Sequence, residues 1–476
     1  MKILFINPPY AAIEGLKESG GHMFPLSFAY LASYAERKIS GLEFKVLDCE
    51  VEGLNYPQIE KRIQEIKPDL VGITCPTPAM KHVYKISQIA KEINPDVQVV
   101  AGGIHPTVLP KKTLEEGKTI DFVVIGEGEA TFAELLQSLK SGEKNFSEIS
   151  GLCWRKGEKI ILNSRRRLIK NLDEIPFPAR NIFNLKLYYS APTKKVSEES
   201  ATPIVTSRGC PFDCAHCPSK IIWEGFIRYR SPDNVVAEIE DCVNRYNLRE
   251  FNFYDDTFTI NKNRVMEICQ KIIEKKLQIY WICLARVNTI DQNLVKMMKE
   301  AGCRKISFGL ESGNQKILDL MGKKATVEQG KKAVETVKKQ GLAVHASFML
   351  GNMGETEKTI KETIDFAKTL PLDNATFFIT CPFPGTRLFE VARKLGRIDE
   401  NTRWEEFAPL TVQRPILVQN NLTEEELVNW QKKAFRRFYL RPRYIIKRIF
   451  QIRGWGEIKS LLEGLRIFSR ILFKKC

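Results

Sequence analysis

The chain reads as an α/β protein: a doubly wound parallel sheet, then an incomplete (βα)6 barrel of TIM type, then a helical basic tail. Three observations carry that reading. Strand-like apolar runs alternate with amphipathic helical segments over residues 1–140, which is the pattern of a buried parallel sheet with helices on both faces. The alternation lapses over 141–195 and restarts from about 200 to 395, and the last forty-six residues hold most of the charge. The predicted division is a first domain over 1–140, a linker over 141–195, a barrel over 196–395 and a helical extension over 396–476. A chain of 476 residues suits roughly three domains of about 150 residues each.

In the first domain the strands are predicted at Lys2–Asn7, Phe44–Asp48, Leu70–Thr74, Val97–Gly102 and Phe122–Ile125, with helices such as Pro25–Lys38 and Met80–Ile93 between them. Ligand sites in such sheets lie at the carboxyl ends of the strands. Those ends read Asn7-Pro8-Pro9-Tyr10, Asp48-Cys49-Glu50, Thr74-Cys75-Pro76-Thr77, Gly102-Gly103-Ile104-His105-Pro106-Thr107 and Gly126-Glu127-Gly128-Glu129. The pair Gly102-Gly103 permits close backbone approach to a ligand. No G-x-G-x-x-G follows the first strand, so a dinucleotide site is not indicated. His105 either caps or braces its own loop or faces a ligand, while His22 and His82 carry no motif.

Residues 141–195 are polar, contain Arg165-Arg166-Arg167, and include Ile175-Pro176-Phe177-Pro178, a proline spacing that favours an extended crossover. Beyond it, strands are predicted at Pro203–Ser207, Glu250–Tyr254, Tyr280–Leu284, Lys305–Leu310, Val344–Leu350 and Ala375–Thr380. The helices include Asn234–Tyr246, Arg264–Lys276, Asp291–Ala301, Val327–Gln340 and Glu357–Thr369. Chemistry in β/α barrels gathers at the carboxyl ends of the strands. Polar residues concentrate there: Asp255-Asp256, Arg286, Gly309 with Glu311-Ser312, Gly351-Asn352 and Pro382–Thr386. Glu311 suits either a ligand hydroxyl or a helix cap, and Asp255-Asp256 suit either a ligand or a cap.

The loop after the first barrel strand is the most specific feature. Cys210-Pro211-Phe212-Asp213-Cys214-Ala215-His216-Cys217 has the spacing C-x3-C-x2-C, three thiolates on one short loop. Cubic 4Fe-4S clusters usually take four cysteines, so three leave one iron open to a small molecule. A structural zinc ion wants four closed ligands, and His216 beside Cys217 cannot easily fold back onto the same ion. The other nine cysteines, at 49, 75, 153, 242, 269, 283, 303, 381 and 476, are scattered and mostly inside apolar runs. They read as reduced thiols rather than a disulfide framework.

This loop resembles the signature of the radical S-adenosylmethionine (SAM) superfamily, with His216 where that family normally has an aromatic residue. Asn7-Pro8-Pro9, Pro25–Ser33, Gly102–Thr107 and Gly126–Glu129 resemble the cobalamin-binding Rossmann domain that precedes many radical SAM enzymes. The resemblance implies a cluster on Cys210, Cys214 and Cys217 whose open iron chelates the methionine part of SAM. It further implies reductive cleavage to a 5′-deoxyadenosyl radical and a flavodoxin- or ferredoxin-type electron donor. Glu311, Gly309, Arg286 and the Gly351 loop would belong to the SAM-binding set, and Gly102 and Gly103 to the cobalamin site. The D-x-H-x-x-G motif is absent, so no histidine from it reaches the cobalt. Cobalamin-dependent members mostly methylate, which implies methyl transfer to an unactivated carbon; oxidation or ring closure, as in the anaerobic cyclase of a magnesium porphyrin ester, is the alternative. A tRNA-modifying methylthiotransferase is a further reading, but that family carries a second three-cysteine set before the radical core. Here residues 1–200 hold only Cys49, Cys75 and Cys153.

Net charge is +16, and residues 431–476 account for +12 of it, with fourteen Lys or Arg against Glu457 and Glu463. Thr423-Glu424-Glu425-Glu426 starts a helix with acidic residues. After Gly454-Trp455-Gly456 comes a predicted final helix whose stripe Ile458, Leu461, Leu462, Leu465, Phe468 and Leu472 is apolar. A basic amphipathic helix is an interfacial anchor or packs on the barrel with a solvated basic face. Nucleic acid is the less favoured partner. The anchor reading goes with a lipid-like or other poorly soluble small-molecule substrate. The amino terminus runs into Pro8-Pro9 too soon for a signal peptide, and no uncharged apolar run reaches the roughly 20 residues of a membrane span. The expected location is the cytoplasm, with contact at the inner membrane surface.

Overall fold

The computed structural model describes residues 1–9, 22–191, 195–196, 200–410 and 414–450. Contacts divide the chain into two compact units, the first running essentially to Tyr188 and including 221–224, the second holding the rest.

The first unit is a seven-stranded sheet in the order β2-β1-β3-β4-β5-β6-β7. Strands β1 (Lys2–Asn7), β2 (Glu43–Asp48), β3 (Leu70–Thr74), β4 (Gln98–Gly102) and β5 (Phe122–Val124) are parallel. Their order reverses between β1 and β3, which opens a crevice beyond the strand ends, where doubly wound folds bind ligands. The helix Leu26–Lys38 buries Phe28, Ala29, Ala32 and Ala35 at helical spacing. Phe5 of β1 stacks on Phe28 at 4.6 Å between centroids.

The predicted linker is partly sheet. Strands β6 (Leu152–Lys156) and β7 (Lys159–Leu162) extend the sheet antiparallel from β5. The charges Arg155, Lys156, Glu158 and Lys159 make the segment look like connector, yet Leu152, Cys153 and Trp154 are buried. An antiparallel edge hairpin needs to bury only part of its surface, so its composition stays polar. Gly157, with φ +59°, makes the tight turn.

The second unit holds six parallel strands in the order β15-β14-β13-β12-β11-β8. They are β8 (Ala201–Ile204), β11 (Glu250–Phe253), β12 (Tyr280–Ala285), β13 (Cys303–Glu311), β14 (Ala343–Leu350) and β15 (Asn374–Ile379). A two-stranded ribbon, β9 (Ser207–Arg208) with β10 (Arg228–Tyr229), follows β8. Sequential order along one sheet makes an incomplete barrel, open between β8 and β15.

An open barrel has an edge to protect. Here the helix Glu424–Tyr439 covers β15. Gln431 Nε2 donates to the Phe377 carbonyl at 2.8 Å, and the Tyr439 hydroxyl donates to the Ala375 carbonyl at 2.7 Å while accepting from the Ala375 amide at 3.1 Å. Thr423 and Glu426 form the capping box that starts this helix. Arg441 lies over Phe438 at 4.2 Å and donates to the Lys368 carbonyl, so some of the tail's charge is spent in packing. The predicted final helix beyond Gly456 lies outside the described residues. Among the described residues no helix is long and apolar enough to cross a membrane.

Candidate active site

The three-cysteine loop leaves the barrel after β8 and is fixed at both ends. At its entry Asp255 accepts from the Thr206 amide (2.7 Å), the Thr206 hydroxyl (2.6 Å) and the Ser207 hydroxyl (2.6 Å). Arg264 holds the other side of Thr206, donating to its carbonyl at 2.8 Å. Asp255 therefore neither caps the following helix, which Asn261 does, nor faces outward as a free ligand. Asp256 accepts from Ser219 Oγ at 2.6 Å, just past Cys217. On the far side the Ala215 amide donates to Met321 O at 2.8 Å, and Arg387 donates to Asp213 O at 2.7 Å.

Cys210 and Cys214 are each only 9% exposed. Burial pushes the Cys217 thiol up to about 11 and raises that of Cys210. Among the described residues no three His, Cys, Asp or Glu side chains converge on one ion position. A cubane does not need such convergence, because each cysteine binds a different iron.

Charged side chains from the next strands reach the same loop. Arg286, just past β12, lies with its guanidinium 3.5 Å from the centre of the Phe212 ring. It donates to Cys214 Sγ at 3.8 Å and to the Lys323 carbonyl. Glu311 ends β13 with φ +63°, a left-handed conformation that a glutamate adopts only under constraint. The constraint is visible: Lys323 Nζ sits 2.7 Å from Glu311 Oε1, both residues being under 9% exposed. A Cβ on Gly309 would collide with Glu311 Oε1 and stand 3.0 Å from Lys323 Nζ, so glycine is what lets the carboxylate fold back. Although burial opposes it, the charges of Lys323, His216 and Arg286 hold the Glu311 carboxyl below its usual range. Glu311 is no helix cap, since Asn314 caps the next helix. Gly351 has φ +86°, and a Cβ there would meet Leu427 Cδ2 at 2.5 Å. Its amide, with that of Asn352, is spent on Glu355 Oε2. Burial raises the Glu355 carboxyl to about 7.

In the first unit the strand ends combine open backbone with buried carboxylates. Asp48, nearly buried, accepts from Asn7 Nδ2 at 2.8 Å and the Tyr188 hydroxyl at 3.0 Å. Gly103 has φ +112°, and a Cβ on Gly102 would meet nothing within 4 Å. The space above that strand end is open. His105 lies on the short helix Ile104–Val108, buried, and burial lowers it to about 3, so it is neutral. His82 is a packing residue whose Nδ1 pairs with the Tyr56 hydroxyl at 2.8 Å.

Comparison with known families places both units. Residues 15–136 match the B12 binding domain, and residues 204–367 match the radical SAM superfamily. An uncharacterized methyltransferase of Pyrococcus horikoshii is 38% identical over 466 residues, covering 98% of each chain. The anaerobic magnesium-protoporphyrin IX monomethyl ester cyclase of Rubrivivax gelatinosus is 32% identical, over 94% of this chain and 78% of that one. The chain belongs to the cobalamin-binding radical SAM family. It is an enzyme whose cofactors are cobalamin, SAM and a 4Fe-4S cluster. Its fold is shared with the radical SAM methyltransferase TsrM of Kitasatospora setae, at a TM-score of 0.68 and 19% identity over 87% of this chain and 80% of that one.

The residues present fit these groups: three thiols on one pinned loop, those of Cys210 and Cys214 buried and that of Cys217 half-buried, fixed cations beside it, and an open strand end at Gly102. Two parts of this radical SAM site escape a reading of the sequence. Lys323 follows a six-residue helix, Gln315–Leu320, too short to show periodicity, and Lys-Lys-Ala-Thr reads as an ordinary turn. The bond from Asp255 back to Thr206 spans forty-nine residues and leaves no local pattern.

Proposed function

We propose that the protein methylates an unactivated carbon of a lipid-like or otherwise poorly soluble small molecule. When bound, the cofactors supply reductive SAM cleavage to a 5′-deoxyadenosyl radical and a methyl group carried on cobalt. Cys210, Cys214 and Cys217 would hold the cluster, with Asp255 fixing where their loop enters. Lys323 and Arg286 present two buried cations suited to the methionine carboxylate, and Glu311 presents an ionised acceptor suited to ribose hydroxyls. Such fixed positioning is what aims a radical at one hydrogen. Gly102 and Gly103 leave room for cobalamin against the backbone. The single observation that carries the reading is the Gly309-Glu311-Lys323-Arg286 network beside the three-thiol loop. A flavodoxin- or ferredoxin-type protein would supply the electrons, and the basic tail would bring the enzyme to an anionic membrane surface.

Ring closure is the second reading, favoured by the 32% identity to a cyclase. The test is anaerobic reconstitution with iron, sulfide and cobalamin, followed by mass spectrometry of the SAM products. Methyl transfer yields S-adenosylhomocysteine together with 5′-deoxyadenosine, whereas ring closure yields 5′-deoxyadenosine alone. Absence of both products overturns the proposal.

A further inference from the structure

The helix Glu424–Tyr439 runs antiparallel to β15, because Gln431 meets Phe377 and the later Tyr439 meets the earlier Ala375. Its last turn therefore lies at the amino-terminal end of the barrel strands. The chain continues through Leu440 into the last described helix, Pro442–Phe450. That helix is tied to the same end of the barrel. The Tyr444 hydroxyl donates at 3.0 Å to the carbonyl of Asp373, the residue before β15. Arg441 donates to Lys368 O, in the last turn of helix Glu357–Thr369. The three-thiol loop leaves the opposite, carboxyl-terminal end.

A helix fixed along one side normally turns polar residues to solvent. This one turns out apolar residues. Ile446 stands about 200° round the helix from Tyr444, at roughly 100° per residue. Ile445, Ile446 and Phe450 are 42%, 53% and 83% exposed, and Phe450 is the most exposed large apolar side chain among the described residues. Arg443, Ile446 and Phe450 recur at helical spacing and share that outer face. The charge around this ridge has one sign. Arg436, Arg437 and Arg443 are exposed, and no Asp or Glu stands between Glu426 and Glu457.

An apolar ridge flanked by cations complements an anionic bilayer, whose headgroups take the cations and whose acyl boundary takes the ridge. A second copy of the helix would set like charge against like, and so would residues 457–476, which are themselves net basic. We infer that the helix Pro442–Phe450 lies in the surface of an anionic bilayer, with Ile445, Ile446 and Phe450 inserted and Arg443 at the headgroups. The inference rests on the membrane contact proposed above and says which surface makes it. It also sets that contact at the end of the barrel opposite the thiol loop, so anchor and chemistry are separable.

The test is cosedimentation of the full-length protein with vesicles of mixed phosphatidylglycerol and phosphatidylcholine, and of phosphatidylcholine alone. Wild type is expected to prefer the anionic vesicles and to keep part of its binding at high salt, because salt screens the cations but not the inserted ridge. The double variant Ile446→Ser/Phe450→Ser should bind about tenfold more weakly, or worse, at low salt and lose the salt-resistant part. Leu395→Ser, at an exposed position on another helix end, should bind as wild type. The double variant should also keep the wild-type melting temperature and 5′-deoxyadenosine formation. Wild-type vesicle binding in the double variant overturns the inference and leaves the membrane contact to the rest of the tail. A melting temperature lowered by several degrees in the double variant, or a dimer that it abolishes, would show the ridge covered by protein and also overturns it. Wild type that ignores both kinds of vesicle refutes the membrane contact itself, and the inference with it. Wild type that makes no 5′-deoxyadenosine refutes the proposed chemistry instead, on which vesicle binding does not depend.

Discussion

Two buried carboxylates, one in each unit, answer burial in opposite ways. Asp48 closes β2 in the first unit, and desolvation raises its carboxyl despite bonds from Asn7, Val51 and Tyr188. Glu311 closes β13 in the second, and the cations around it lower its carboxyl despite its burial. Neutral donors at Asp48 do not offset the loss of water; the charges of Lys323, His216 and Arg286 at Glu311 do. The first unit therefore holds its strand-end carboxylate mainly with neutral donors, near the open backbone at Gly102. The second presents fixed charge suited to a small zwitterion. That difference is open to attack by mutation.

The largest expected effect is at the three thiols. Cys210, Cys214 and Cys217 replaced together by Ala should abolish 5′-deoxyadenosine formation and the cluster's absorbance while leaving cobalamin binding intact. Residual 5′-deoxyadenosine in the triple variant would break the assignment. Next comes the buried ion pair. Lys323→Met leaves Glu311 buried and unpaired, which costs about 3–5 kcal/mol, and the double variant Lys323→Met/Glu311→Leu should recover much of that loss in urea unfolding. Neither variant is expected to bind SAM with wild-type affinity.

The glycines sharpen the contrast. Gly309→Ala forces its methyl into Glu311 and should weaken SAM binding by tenfold or more, about 1.4 kcal/mol per tenfold. Gly102→Ala adds a methyl to open space. It should leave the melting temperature within a degree or two and weaken only cobalamin, read by absorbance titration. A cobalamin affinity that Gly102→Ala leaves unchanged would move the ligand away from β4.

What was legible in the sequence follows from the range of the interactions. The parallel strands β1, β3 and β4 stand within a residue of their expected bounds because a strand buried on both faces is a continuous apolar run. The hairpin β6–β7 was missed because an edge strand needs no such run. At the site, Arg286 and Glu311 were legible as polar residues on strand ends. Their geometry was not, since it depends on Lys323 and on Phe212 arriving from separate loops. Gly351 stood out for the same reason, yet its left-handed backbone answers to Leu427, and its amide is held by Glu355.

The smallest effect is the pH dependence, and its sign tests the comparison directly. A carboxyl whose folded value is lowered adds stability above its unfolded value, near 4.5 for Glu311, and loses it as pH falls through the folded value. A carboxyl whose folded value is raised does the reverse: Asp48 costs nothing below its unfolded value near 3.8 and costs most above its folded value. The melting temperature of Glu311→Gln, relative to wild type, should therefore fall as pH rises from 3 to 6. That of Asp48→Asn should climb over the same interval, on top of a constant loss from its altered hydrogen bonds. A change of 1 kcal/mol moves the midpoint by roughly 2–4 °C in units of this size, within reach of calorimetry on the reduced apoprotein. Parallel trends in the two variants would mean that the units treat buried charge alike and that the contrast between them is wrong.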